Sequence, residues 1–332
     1  MRSIKSADYE YFRIAKAGTA EQSVVSQKIC EKKYIRLRKQ PVGLLARLRS
    51  MKRGTTVMGM NEKDKAIGVF DSGIGGLTVV REIIRNIPNE RIIYFGDTAR
   101  LPYGSKSKDT IIRYSRQIVK FLQSQDVKAI VVACNTASAF ALEEIRDEVD
   151  IPIIGVVKPG ARVACEATKN NRIGVIATTG TISSGLYTEF IHQIKPEAEV
   201  LGKACPLFCP LVEEGWFKDD PITKAVAERY LSVLKEQDID TLILGCTHYP
   251  LLRSMIGEIM GKGVHLVNPS YETAQELARL LKEKNIAGDT RPQGENPYLF
   301  YVSDAAESFK DFANAILPID IKRAKKIPIE EY

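Results

Sequence analysis

The sequence predicts an α/β protein of two similar lobes, each a mainly parallel sheet flanked by helices, related by a pseudo-twofold axis with a cleft between them. From Ala66 onward, short β-branched runs alternate with amphipathic stretches of helical length, a pattern typical of βα units on a parallel sheet. The Lys158-Pro159-Gly160 segment interrupts this alternation after the fourth strand, which favours two lobes over one sheet of eight strands. The composition, 44% apolar and 27% charged over 332 residues, is that of an ordinary globular protein.

The strands are predicted from short apolar runs bounded by turn residues, and the helices from apolar residues at helical spacing. The predicted strands are residues 66–70, 91–95, 129–133, 152–156, 172–177, 199–204, 241–244 and 265–267. The predicted helices are residues 77–87, 110–124, 138–149, 184–194, 222–236 and 272–284. We therefore expect a first lobe at residues 64–158 plus 269–326 and a second lobe at residues 159–268.

Residues 1–63 show no sustained periodicity and form a basic N-terminal extension. Residues 1–60 carry 14 Lys and Arg against 4 Asp and Glu, whereas the other 272 residues carry 34 against 37. Three interpretations stay open: translation that begins at Met58 or Met60, a targeting segment, and a regulatory or anion-binding tail. We expect a disordered segment or a mis-annotated start. Because the body is slightly acidic, we expect no nucleic-acid partner for it.

No apolar stretch approaches the roughly 20 residues that a membrane helix needs, so we expect no membrane partner. The six cysteines, at positions 30, 134, 165, 205, 209 and 246, are too few and too irregularly spaced for a disulfide scaffold. These features predict a reducing cytoplasmic location, where thiolate chemistry is the relevant property of each cysteine.

Two of these cysteines come directly after predicted strands. Cys134 follows the third strand and is succeeded by Asn135 and Thr136, while Cys246 follows the strand at residues 241–244 and is succeeded by Thr247 and His248. In open α/β sheets, ligands bind beyond the carboxyl ends of the strands. If the lobes are related by the pseudo-twofold axis, the two thiols face each other across one cleft.

Two facing thiols could be a redox pair, a metal site or an acid and base. Redox pairs normally form a short CxxC, which these cysteines do not. A zinc site needs further ligands, and near either cysteine the sequence offers only His248, so we expect no metal. Acid/base chemistry needs nothing more, and Asp71 and His248 are placed to tune the two thiols.

Further site residues follow other strands. Asp71 and Ser72 open a glycine-rich turn that fits a phosphate loop poorly, because its carboxylate would repel phosphate. Backbone N–H groups at Tyr103 and Gly104 are candidates to hold a carboxylate. Glu213 is a candidate to orient the His248 imidazole.

The remaining motifs have less specific interpretations. Cys205 and Cys209 form a C-x3-C pair that lacks a second ligand pair, and we expect both to pack in the core. The segment 178–181 fits either an anion cradle or a turn into the next helix.

Four motifs together resemble those of bacterial glutamate racemases, of the aspartate/glutamate racemase family. They are residues 69–77, 101–104, 132–138 and 245–252, and the similarity runs from about Ala66 to the C-terminal region. The resemblance implies an isomerase that interconverts L- and D-glutamate, with the active site between two α/β lobes and without pyridoxal phosphate, metal or nucleotide. It also implies a supply of D-glutamate for peptidoglycan in a bacterial cytoplasm, and we expect a homodimer.

The resemblance further implies a role for each matching residue. Cys134 would exchange the proton on the D face and Cys246 on the L face, with Asp71 and His248 assisting them and Glu213 beside the histidine. The α-amino and α-carboxylate groups would be held by Ser72, Asn135, Thr136 and Thr247. The Tyr103 and Gly104 backbone would meet the side-chain carboxylate. Residues 1–60 have no counterpart in this resemblance.

Two other functions remain open from the residues. An aspartate racemase would use the same two-cysteine mechanism in a site that is one methylene shorter. A non-catalytic protein that binds an acidic amino acid would keep the polar residues but would have no need of two cysteines.

Overall fold

The computed structural model describes residues 61–292 and 297–332. Nearly all of the predicted extension therefore lies outside the described residues, and its last residues enter a 3-10 turn at Glu62–Asp64. The described residues form ten strands in two sheets, together with twelve α-helices.

The first sheet has six strands in the order β10-β9-β2-β1-β3-β4, and all its neighbours run parallel. Its strands are β1 Ile67–Asp71, β2 Ile92–Gly96, β3 Ala129–Val132, β4 Ile153–Gly155, β9 Tyr298–Val302 and β10 Lys325–Lys326. Its helices are α1 Leu77–Asn86, α2 Lys108–Ser124, α3 Asn135–Phe140, α4 Leu142–Arg146 and α12 Ala306–Ile316. Strands β1, β2 and β3 are buried along their whole length, as parallel strands are when helices cover both faces.

The second sheet has four parallel strands in the order β6-β5-β7-β8. Its strands are β5 Arg172–Ala177, β6 Glu199–Ala204, β7 Thr241–Gly245 and β8 His265–Val267. The helices of this part are α6 Thr179–Ser183, α7 Leu186–Ile194, α8 Phe208–Glu213, α9 Pro221–Lys235 and α10 Arg253–Met260. Two helices lead from one sheet to the other, α5 Val157–Ala167 and α11 Pro269–Glu283, and they pack against each other.

The predicted fold class, parallel sheets flanked by helices, is confirmed. The first sheet takes its strands from residues 67–155 and 298–326, and the second from residues 172–267. The boundaries at 158 and 268 remain our proposal for the lobes.

Two local predictions are wrong, and two strands were missed. Lys158, Pro159 and Gly160 do not break the chain but lie in the first turn of α5, where a proline removes no intrahelical hydrogen bond. The single helix predicted over 138–149 is two short ones, α3 and α4. Strands β9 and β10 were not predicted, although the aromatic run Tyr298–Val302 pairs with all of β2.

Two of the helices that begin earlier than their apolar pattern indicates start at a proline. Helix α9 starts at Pro221, with the Asp220 side chain accepting a hydrogen bond from the Thr223 N–H, and α11 starts at Pro269 after an Asn268 cap. Proline suits the first helical position because the N–H that it lacks would have no intrahelical partner. None of the helices within the described ranges is long and apolar enough to cross a membrane.

Candidate active site

Both thiols line one small cavity at the carboxyl ends of the central strands. Cys134 follows β3 of the first sheet and Cys246 follows β7 of the second. The cavity, of about 40 Å³, is lined by Ser72, Leu101, Pro102, Tyr103, Gly104, Cys134, Asn135, Thr136, Thr178, Cys209, Glu213, Cys246, Thr247 and His248. Every predicted site residue except Asp71 lies in this lining. Two larger surface clefts, of about 610 and 560 Å³, contain neither thiol.

Cys134 is the N-cap residue of α3. Its Sγ donates to Oγ of Ser72 at 3.6 Å and is also hydrogen-bonded to the backbone N–H of Ala137. Burial, followed by the negative charge of Asp71, raises the pKa of the Cys134 thiol to about 12, although the Ala137 N–H works in the opposite direction. In the unliganded cleft at neutral pH, this residue is therefore a thiol rather than a thiolate.

Cys246, His248 and Glu213 form a hydrogen-bonded row. The Sγ of Cys246 is 3.6 Å from Nδ1 of His248, whose Nε2 is 3.0 Å from Oε1 of Glu213. Burial raises the pKa of the Cys246 thiol well above its ordinary value, and the nearby Cys209 thiol adds to that rise. Burial lowers the pKa of His248, but its hydrogen bonds to Cys246 and Glu213 outweigh this effect and raise it to about 10. The imidazole is thus protonated at neutral pH, and its positive charge can stabilise a thiolate on Cys246.

Asp71 lies directly behind the cavity lining and joins the loops that follow β1 and β7. Its carboxylate accepts from the backbone N–H of Gly73 at 3.0 Å and from Oγ1 of Thr247 at 3.4 Å. Burial raises the pKa of Asp71, and the charge of His248 partly offsets that rise. Asp71 therefore influences Cys134 through its charge, whereas His248 touches Cys246 directly.

The β1 loop reaches this position because Gly75 has no side chain. A Cβ at Gly75 would lie 2.6 Å from Cε1 of His248 and would also collide with Oγ1 of Thr247. The glycine-rich turn thus serves the close approach of two loops, in agreement with the poor fit to a phosphate loop.

Polar groups of the other loops surround the thiols. The hydroxyl of Tyr187 donates to Oδ1 of Asn135 at 2.7 Å, which directs that amide's N–H groups away from Tyr187. Thr136 Oγ1 lies 2.9 Å from Thr178 Oγ1, which links the segment after β3 to the segment after β5. The hydroxyl of Tyr103 bonds to the buried Asp97, so its backbone rather than its phenol is available at the cavity.

Two cavity residues have places that the sequence did not predict. The expectation that Cys209 packs in the core is met only in part: its half-buried side chain packs against the core of the second sheet but also lines the cavity, with its Sγ 3.5 Å from that of Cys246. Cys205, four residues earlier, is fully buried as predicted. The segment 178–181 was predicted to be either an anion cradle or a turn into the next helix. Its first residue, Thr178, lines the cavity and also caps α6. No local feature of the sequence distinguishes the cavity position of Cys209 from the core position of Cys205.

Comparison with known proteins gives a consistent set of matches. A protein-family model described as Asp/Glu/Hydantoin racemase matches residues 67–277. The curated glutamate racemase of Geobacter metallireducens is 51% identical over 253 residues, which are 76% of this chain and 93% of that protein. The crystal structure of a Bacillus anthracis glutamate racemase isoform matches with a TM-score of 0.76 at 40% identity, covering 80% of this chain and 98% of that one. The Francisella tularensis glutamate racemase, solved in complex with D-glutamate, matches with a TM-score of 0.75 at 39% identity, covering 81% of this chain and 100% of that one.

Proposed function

The chain belongs to the Asp/Glu/hydantoin racemase family and its activity is glutamate racemisation, which we propose it performs by two-base proton transfer between Cys134 and Cys246. The observation that carries this proposal is the placement of both buried thiols on one small cavity, each at the end of a strand from a different sheet. A base on each side of Cα is the simplest arrangement that inverts its configuration.

The raised pKa values of both thiols suit this chemistry. The Cα–H of an amino acid is a very weak acid, so a base of raised pKa makes proton removal less unfavourable than an ordinary thiolate would. Such a thiolate must form in the presence of substrate, and the ammonium group of glutamate stabilises it because opposite charges at close range favour ionisation. Both thiols are buried, and the lower dielectric of a buried site strengthens that attraction.

The two thiols have different partners. For Cys246, the protonated His248 stabilises the thiolate through its contact with Sγ, and the Glu213 carboxylate stabilises the imidazolium. For Cys134, burial and then the charge of Asp71 keep the thiol protonated, and the ammonium group of the substrate opposes both effects. In this proposal Cys134 serves the D face and Cys246 the L face.

The other cavity residues bind the substrate. Ser72, Asn135, Thr136 and Thr247 offer hydroxyl and amide groups to the α-amino and α-carboxylate groups, and all four line the cavity. The Tyr103 and Gly104 backbone meets the side-chain carboxylate. This distribution needs no pyridoxal phosphate, metal or nucleotide for the proton transfer.

Glutamate rather than aspartate is the substrate that the comparisons favour, since curated relatives of 44 to 51% identity carry the name glutamate racemase. The cellular role expected of the family is to provide D-glutamate for peptidoglycan. We propose that the protein acts in the cytoplasm as a homodimer.

The test is to incubate pure D-glutamate with the enzyme in D₂O, without added pyridoxal phosphate, and to follow circular dichroism and the Cα–H signal by proton NMR. The expected result is decay of the dichroism to zero with deuteration at Cα. Faster turnover of D-aspartate than of D-glutamate would reassign the substrate. An unchanged dichroism with folded, reduced protein would contradict the function and favour a protein that only binds acidic amino acids.

A further inference from the structure

We propose that Cys209, Cys246 and His248 form a binding site for a thiophilic divalent cation, Zn²⁺ by the chemistry of the ligands, and that its occupation stops racemisation. The metal site does not depend on the proposed function, and only the inhibition of racemisation rests on that function. The sequence offered His248 alone as an extra ligand beside the thiols, whereas the structure adds Cys209.

Two of the three distances between the ligand atoms already match those of a tetrahedral zinc site. Sγ of Cys209 lies 3.5 Å from Sγ of Cys246, which lies 3.6 Å from Nδ1 of His248, and all three atoms are within 4.8 Å of one another. With Zn–S at about 2.3 Å and Zn–N at about 2.0 Å, tetrahedral angles put the ligand atoms roughly 3.5 to 3.8 Å apart. An ion therefore needs only small side-chain movements to bind.

The surroundings of the histidine also suit a metal ligand. Its Nε2 is 3.0 Å from the Glu213 carboxylate, so a proton on Nε2 leaves the lone pair of Nδ1 directed at the two thiols. Histidines that bind metals usually donate their other ring N–H to a carboxylate in this way. Helix α8 supplies both Cys209 and Glu213, and the segment after β7 supplies the other two ligands.

Two of the three ligands are buried from solvent, and the third can be reached from the cavity. Cys246 and His248 are 6% and 5% exposed, whereas Cys209 is only half-buried and faces the cavity, which provides a path for the ion. Three protein ligands leave a fourth position of the tetrahedron for water or for a substrate carboxylate. Two thiolates balance the charge of the cation.

Metal binding and proton transfer compete for the same atom. When the ion binds at neutral pH, the Cys209 and Cys246 thiols and the His248 imidazolium each release a proton to solvent, so affinity rises with pH. The sulfur of Cys246 then shares its electron pair with the cation and can neither remove nor return a Cα proton. The metal-bound enzyme is therefore inactive, and a chelator restores it.

The first experiment titrates Co²⁺ into the reduced full-length protein and follows the thiolate-to-cobalt charge-transfer band and the visible bands of tetrahedral cobalt, with Zn²⁺ as competitor. We expect one ion per chain with thiolate ligation. Cys209→Ser, and independently Cys209→Ala, should lose charge-transfer intensity. Each should weaken Zn²⁺ binding by more than the roughly 10 to 100-fold that loss of an outer-shell partner costs. Cys165→Ala is the matched control, because it removes one buried thiol that lies outside this cluster.

The second experiment measures D-glutamate racemisation with and without Zn²⁺. The unmodified enzyme should be inhibited and should recover with EDTA, whereas both Cys209 variants should racemise without metal and resist inhibition. Cobalt bands and zinc affinity that are the same in the Cys209 variants, or no stoichiometric binding by the unmodified protein, would overturn the proposal. Cys209-dependent binding without any racemisation would leave the metal site standing and remove the proposed function instead.

Discussion

Adding one methyl group at Gly75 tests whether the close approach of the β1 and β7 loops sets the geometry of the site. The new Cβ would lie 2.6 Å from Cε1 and Nδ1 of His248, whereas ordinary contact begins at 3.4 Å. The imidazole must therefore retreat by about 0.8 Å, the difference between those two distances. That ring is hydrogen-bonded on one side to Cys246 at 3.6 Å and on the other to Glu213 at 3.0 Å, so the movement disturbs both contacts.

A misplacement of about 1 Å in a catalytic arrangement costs roughly 100-fold in rate, so we expect Gly75→Ala to lower kcat by about that factor. Overpacking a buried site also destabilises the fold by about 1 to 3 kcal/mol. Initial rates by circular dichroism from both enantiomers, together with thermal unfolding, measure the two effects. Because the enantiomers have equal free energy, kcat/KM must fall by the same factor in both directions.

The matched control is Gly263→Ala, where an added Cβ has no atom within 4 Å. We expect that variant to keep its activity. Neither glycine has a left-handed backbone, so the comparison isolates the steric effect of the methyl group. A folded Gly75→Ala enzyme with unchanged kcat would refute the reasoning.

Three further predictions follow from the site and the core. Cys134→Ala and Cys246→Ala should each lower racemisation by at least the roughly 100 to 10,000-fold that general acid/base groups contribute, and activity in either variant after removal of contaminating enzyme would argue against two-base transfer. The folded-state pKa of His248, about 10, exceeds its ordinary 6.5, so its contribution to stability is complete below about pH 6.5 and is lost as the pH rises towards 10. Urea unfolding should therefore show a steeper loss of stability over that interval than in His248→Asn, and parallel curves would contradict the assigned shift. Lys128 forms a fully buried ion pair with Glu90 at 2.6 Å, so Lys128→Met should cost about 3 to 5 kcal/mol in chemical denaturation while leaving kcat unchanged.

Much of the fold was predictable because parallel strands that are buried on both faces leave a local pattern. All eight predicted strands are present, and three of them, β5, β6 and β8, have the predicted bounds. The failures occurred where the local signal was ambiguous. The sequence around Pro159 predicts a chain break, but a proline is tolerated in the first turn of α5. Strand β9 lies beyond the last predicted helix, and its pairing with β2 depends on a partner some 200 residues away.

The candidate site was predictable to a similar degree, because residues after parallel strands share one edge of a sheet. This rule brought Ser72, Cys134 and Asn135 together from the first sheet, and Thr247 and His248 from the second. The function of these residues came from the combination of motifs rather than from any one of them, since a single cysteine at a strand end is more often a packing residue.

The sequence by itself thus determined the alternation of strands and helices, the positions of the two thiols at strand ends and the family. Only the tertiary structure decided which distant loops touch: Gly75 against His248, Thr136 against Thr178, and Cys209 against Cys246, 37 residues apart. The physical reason is that element type follows from periodicity over a few residues, whereas contacts between loops depend on how whole elements pack. The Cys209 thiol therefore has no local signal that distinguishes a core position from one on the cavity, and its place beside Cys246 emerges only when α8 packs against the turn Tyr249–Leu252 that follows Cys246.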